Sequence, residues 1–138
     1  MAITQAFPTA AKLAFLRGEH QAGHTYKIAL YTASANLGAS TEAYTTSGEV
    51  SGDGYTAGGK ELEGITFGTA GTIAYMSADD PVWEDATISA RGALIYNDTL
   101  SGKPVVTVLD FGETVSSTNA AFMVDFPPAG ANALIRFE

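Results

Sequence analysis

The stretch TISARGALIYNDTLSGKPVVTVLDF, residues 87–111, decides how the rest of the chain is read. Its first limb alternates as a pleated strand must. Ile88, Ala90, Gly92, Leu94 and Tyr96 point one way, and Thr87, Ser89, Arg91, Ala93, Ile95 and Asn97 the other. Asn97, Asp98, Thr99, Leu100, Ser101 and Gly102 follow, a run suited to a turn with local side-chain to backbone bonds. The second limb, residues 104–111, is β-branched and apolar, with Pro104 at its start, where a missing N–H does least harm. Two such limbs about a short polar loop predict an antiparallel hairpin.

Outward from the hairpin, the chain of 138 residues fits one domain, because two halves would each be too small to bury an adequate core. Hydrophobic residues make up 46%, while charged residues are only 16%, below the usual ~25% and unlike a disordered chain. Seven basic against fifteen acidic side chains give a net charge of −8. The cations Lys12, Arg17, Lys27, Lys60, Arg91, Lys103 and Arg136 are scattered, so no basic patch for nucleic acid is expected. No cysteine is present, which excludes disulfides and thiolate metal sites and fits a reducing compartment. No run approaches the ~20 apolar residues of a membrane-spanning helix, and residues 1–7 lack the basic start and apolar core of a secretion signal. No membrane partner is expected.

Residues 4–18 are the one stretch that reads as helix, with Gly18 as its stop. Phe7, Ala11, Ala14 and Phe15 share a face, to be laid against a sheet edge or a barrel mouth. The strand at residues 26–31 is expected to turn Tyr26, Ile28 and Leu30 inward. Residues 32–48, rich in Ala, Ser, Thr and Gly, read as a long surface loop. Further short strands are expected at 62–67, 72–76, 82–83, 121–126 and 133–137. The pattern predicts a mainly β fold, an antiparallel β-sandwich or jelly-roll-like barrel with one short N-terminal helix. Its parts are an arm and helix over residues 1–18 and a β-sandwich over 26–138.

A search for chemistry finds little. His20 and His24 lie four apart, but Gln21, Ala22 and Gly23 between them do not favour a helix, and no third metal ligand follows. They read as exposed loop histidines. Asp79, Asp80, Glu84 and Asp85 surround Trp83 without the spacing or bending glycine of a calcium loop, and read as a solvated turn. Gly52-Asp53-Gly54 and Gly58-Gly59 lack a phosphate-binding lysine and a following helix. No nucleophile elbow is present. Trp83, Tyr44, Tyr55 and Tyr75 could stack on a sugar, but Tyr75 and Trp83 read first as core and the other two as loop anchors. No enzyme, metal or cofactor is expected.

Several blocks carry a resemblance. Ala2-Ile3-Thr4-Gln5-Ala6-Phe7, Tyr26-Lys27-Ile28-Ala29-Leu30-Tyr31-Thr32, Glu49-Val50-Ser51-Gly52-Asp53-Gly54-Tyr55-Thr56-Ala57-Gly58-Gly59, Ala90-Arg91-Gly92-Ala93-Leu94-Ile95-Tyr96-Asn97 and Val108-Leu109-Asp110-Phe111-Gly112 resemble a family of small proteins encoded by tailed bacteriophages. The resemblance implies a virion structural protein, foremost a capsid decoration (cement) protein assembled in the host cytoplasm. Such a protein self-associates and bridges subunits of the major capsid protein on the head exterior. It implies no catalytic or metal-binding residue.

Loops and termini adapt to partners most readily. The candidate contact residues are therefore Ile3 and Phe7 on the N-terminal arm, and Leu37 and Tyr44 in the 32–48 loop. The alternatives are a tail or neck fibre or adaptor subunit, or a carbohydrate-binding β module using Tyr44, Tyr55 and Trp83.

Overall fold

The computed structural model describes residues 2–130 and 132–137. In chain order these form α1 (Thr9–Leu16), β1 (Tyr26–Tyr31), β2 (Lys60–Glu61), β3 (Thr66–Ala70), β4 (Ile73–Ser77), β5 (Val82–Asn97), β6 (Val105–Met123) and β7 (Ile135–Phe137). One sheet has the order β2-β1-β5-β6 and the other β3-β4-β7, with every pairing antiparallel. The protein is mainly β, a sandwich of two antiparallel sheets with one short helix.

The hairpin forms as its alternation predicts. Gly92 faces Asp110, Leu94 faces Val108 and Tyr96 faces Val105. At the turn, the Thr99 N–H donates to Asn97 Oδ1 at 3.0 Å, the local side-chain bond expected there. Both limbs run much further than the sequence suggests. β5 begins at Val82, absorbing the short strand at 82–83, and β6 continues to Met123. Four register shifts interrupt the pairing of these long strands: one leaves Val106 extra on β6 between Val105 and Thr107, and the other three each carry a residue of positive φ. Asp85 (φ 50°) is extra on β5, Asn119 (φ 48°) is extra on β6, and residues 111–114, including Gly112 (φ 83°), are looped out between Asp110 and Val115. Each of these three is a bulge turned by a residue in the left-handed region, which Asn, Asp and Gly tolerate best.

The bulge near Gly92 reverses which side chains face which layer. Tyr26, Ile28, Leu30, Ala86, Ile88, Ala90, Ala93, Ile95, Val106 and Trp83 pack between the two sheets with Met76, Phe122 and Ile135. Leu94 and Tyr96 instead join Ile3, Ala11, Ala29, Tyr31, Leu37, Val105 and Val108 on the opposite face. The single alternation read along residues 88–96 is thereby corrected: Ile88 and Ala90 lie on one side, Leu94 and Tyr96 on the other. A side-chain period of two does not survive a bulge.

The second face is covered by α1, the N-terminal segment and the 32–48 loop. α1 is shorter than residues 4–18. Pro8 caps it in extended conformation (φ −62°, ψ 149°), and residues 3–6 are drawn into strand-like pairing instead. Ala6 and Val108 exchange both backbone hydrogen bonds at 3.1 Å, and Ile3 bridges Leu37. The helix stops at Gly18 (φ 72°), where the Glu19 N–H reaches the Ala14 carbonyl at 2.9 Å and that of Gly18 the Phe15 carbonyl at 3.1 Å, a Schellman-type end. The 32–48 loop is tied at both ends, by Thr32 N–H to the Gly48 carbonyl at 2.8 Å and by Tyr44 N–H to the Lys103 carbonyl at 3.0 Å.

Candidate functional site

Two polar clusters hold the loops on the sandwich. In the first, the Glu49 carboxylate accepts three hydrogen bonds. Tyr44 Oη donates to Oε1 at 2.6 Å, while Tyr55 Oη (2.5 Å) and the Gly58 N–H (2.8 Å) donate to Oε2. Tyr55 Oη also accepts the Leu30 N–H at 3.0 Å, so the cluster reaches the backbone of β1. The Tyr44 ring lies 4.8 Å from that of Tyr96, whose hydroxyl donates to the Gly58 carbonyl at 2.5 Å. Burial, and then the Glu49 carboxylate that already accepts their protons, push the Tyr44 and Tyr55 hydroxyls far above their ordinary range; burial pushes Tyr96 up to about 12. All three stay neutral donors, and the cluster is a lock.

The second cluster corrects the reading of His20. It is buried, not exposed. The Asn97 amide, fully buried at the end of β5, donates to His20 Nδ1 at 3.1 Å and to His24 Nδ1 at 2.9 Å. That assignment of the amide makes both Nδ1 atoms acceptors and puts each neutral ring's proton on Nε2. His20 Nε2 has no hydrogen-bond partner, and the Phe15 ring packs 4.7 Å away. Burial lowers the His20 pKa. Among the described residues, no group of three or more His, Cys, Asp or Glu is arranged to hold a metal ion.

The four candidate contact residues fall in two kinds of place. Ile3 and Leu37 are buried against one another on the helix-side face. The arm is thus a layer of the fold. Phe7 is half-buried, and Tyr44 is half-buried with its hydroxyl held by Glu49. Trp83 is buried in the inter-sheet core and Tyr55 packs toward it, ring centroids 6.1 Å apart, so these two form no open platform for a sugar. Of the acidic residues around Trp83, Asp80 accepts the Phe126 N–H at 2.8 Å.

One feature that sequence reasoning missed is an aromatic cluster open to solvent. Phe7, Phe15 and Phe137 meet edge to face at 5.4 to 5.8 Å, and Phe67 lies 6.3 Å from Phe15. Leu16, at the end of α1, is 81% exposed beside it, and Phe67 and Phe137 are 39% and 37% exposed. Phe7, Lys12, Leu16, Arg136 and Phe137 line a shallow cleft of about 340 Å³ there. Helix α1, β3 and β7 bring these residues together from both ends of the chain, and no local sequence pattern marks that meeting.

Comparison of the chain with protein-family models, curated proteins and solved structures finds no match. No helix among the described residues is long and apolar enough to cross a membrane.

Proposed function

We propose that this chain is a virion structural protein of a tailed bacteriophage, a decoration protein that binds and bridges subunits of the major capsid protein on the head exterior. The observation that carries the reading is the open cluster of Leu16, Phe67 and Phe137 set on Phe7 and Phe15. Aromatic residues at the centre of a patch supply most of the energy of a protein contact, and here they stand on a sheet and a capped helix already ordered. Little order has to be created on binding. Repetition over a shell multiplies a modest contact into firm attachment. The sequence resemblance supplies the setting, and the net charge of −8 keeps free copies soluble before assembly.

The test is cryo-electron microscopy of intact virions, with a Leu16→Asp variant compared for particle occupancy. Density repeating over the head, lost in the variant while the isolated protein keeps its circular dichroism spectrum, is the expected result. Density confined to tail or neck would replace the decoration reading with that of an adaptor subunit, and absence from the particle would end both.

A further inference from the structure

Helix α1 buries Ala11 and Ala14, which leaves Lys12, Leu13 and Leu16 facing outward. Lys12 and Leu16 are one turn apart and stand side by side on the helix. Leu13 is 44% exposed and extends the apolar patch that Leu16, Phe67 and Phe137 form. In the cleft of about 340 Å³, Phe7, Leu16 and Phe137 supply the apolar lining, while α1 contributes Lys12 and β7 contributes Arg136. Among the described residues that lining holds two cations and no acid, in a chain whose acids outnumber its bases fifteen to seven.

Lys12 also differs from the paired cations of the chain. Arg17, Lys27, Arg91 and Lys103 each meet an acid, at 3.9, 3.7, 2.9 and 3.3 Å. Lys60 Nζ donates to the Val82 carbonyl. Among the described residues Lys12 meets no acid. Its ammonium stands 6.0 Å from the centroid of the Phe7 ring, a cation held against the apolar lining with donors left for a ligand.

We infer that the cleft takes an acidic amphipathic segment of its partner, with a large apolar side chain seated on Phe7, Leu16 and Phe137 and a neighbouring carboxylate on Lys12. The inference rests on the capsid reading for the partner, the major capsid protein, and adds the chemistry of the segment presented. Charge selects an acidic occupant. At −8 overall, the chain repels an acidic partner over most of its surface and attracts it where Lys12 and Arg136 stand, which fixes one orientation. A basic segment would meet like charge at the cleft and attraction elsewhere, and so would find no register. Seating the apolar side chain also drives water from around Lys12, which strengthens its ion pair over one on open surface.

The test is a heteronuclear NMR titration of the isotope-labelled chain with a short capped peptide in which Glu flanks a Leu-Phe pair on both sides, and with its twin carrying Lys in place of Glu. The acidic peptide is expected to shift the amides of residues 12–17 and 135–137 and to bind at least about tenfold more tightly than the twin. Lys12→Glu is expected to abolish or reverse that preference with the rest of the spectrum unchanged. Should Lys12→Glu fail to fold, Lys12→Gln, which removes the charge alone, is expected to abolish it. Equal affinity for the two peptides, binding of neither, shifts confined to other parts of the chain, or a preference that neither Lys12 variant reduces overturns the inference. Particle occupancy tests the capsid reading separately. If Leu16→Asp lowers occupancy while the peptides show no preference, the capsid contact stands and its acidic chemistry falls. If the preference holds and the protein is absent from the particle, the cleft keeps its acidic ligand and the capsid reading falls.

Discussion

The Tyr55 hydroxyl donates to Glu49 Oε2 at 2.5 Å while accepting the Leu30 N–H at 3.0 Å, so one phenol joins a loop carboxylate to the backbone of β1. Because Tyr44 and the Gly58 N–H converge on the same carboxylate, Glu49→Ala strips three donors of their acceptor at once. A loss of about 2–4 kcal/mol is expected in urea unfolding, beyond the ordinary cost of one hydrogen bond. Tyr44→Phe removes only one donor and is expected to cost about 1 kcal/mol. Equal, negligible costs for both variants would mean that the loop is held by other contacts.

Ile3 is the next point of leverage. Its side chain is buried with Leu37 and Val108, and Ala6 beside it continues the sheet. Ile3→Ala should lower stability by about 2–5 kcal/mol, as for any large buried aliphatic residue. A value near zero would mean that the segment before α1 is a detachable arm.

Acid is expected to weaken the fold through His20. Burial holds its folded pKa below the ordinary 6.5, with His24 adding to the effect, while the backbone of Val105 and the charge of Glu19 act in the opposite direction. As pH falls, the unfolded chain therefore takes up the proton first. The stability contributed by neutral His20 is complete above about pH 6.5 and is lost as the pH drops below that value toward the folded pKa. Melting temperatures measured from pH 8 to 5 should fall in that window, and His20→Gln should flatten the curve relative to the parent. A parent curve already flat between pH 7 and 5 would exclude this role.

Two glycines with nearly the same backbone angle should respond very differently to alanine. Gly59 (φ 84°) passes so close to β1 that a Cβ would sit 1.9 Å from the Ile28 carbonyl oxygen, whereas Gly102 (φ 83°) in the hairpin turn has nothing within 4 Å. Gly102→Ala is expected to cost about 1–2 kcal/mol, the price of left-handed backbone alone. Gly59→Ala adds displacement of a strand and is expected to exceed about 4 kcal/mol or to prevent folding. Similar costs at the two positions would show that β1 can yield.

The hairpin and the inward face of β1 were legible because apolar and β-branched residues alternate along each limb, although the bulge near Gly92, which the alternation does not show, changes which residues face the core. β6 beyond Gly112 was not legible, because an open edge imposes no apolar pattern: Glu113, Thr114, Ser116 and Thr118 satisfy a strand as well as a loop. Asp85 read as part of a solvated turn, and its left-handed conformation in a continuous strand depends on the partner strand opposite. His20 was misplaced for a related reason. Its burial depends on Asn97 and Phe15, and the former lies 77 residues away. Leu16 and Phe137 carried no mark in the sequence, since exposure of an apolar residue at a helix end or in a short strand is decided by the assembled surface.

The ring of Phe7 meets that of Phe137 at 5.5 Å, and Ala6 completes its strand pairing only with Val108. During synthesis the segment before α1 leaves the ribosome long before either partner exists. It can meet Leu37 early, but its pairing with Val108 waits for the start of β6 and the contact of Phe7 with Phe137 waits for β7. Such long-range closure places folding in the slow, millisecond-to-second class of β topologies. A chain without β7 cannot complete the aromatic cluster, so that exposed surface exists only once β7 has joined the N-terminal segment and the helix.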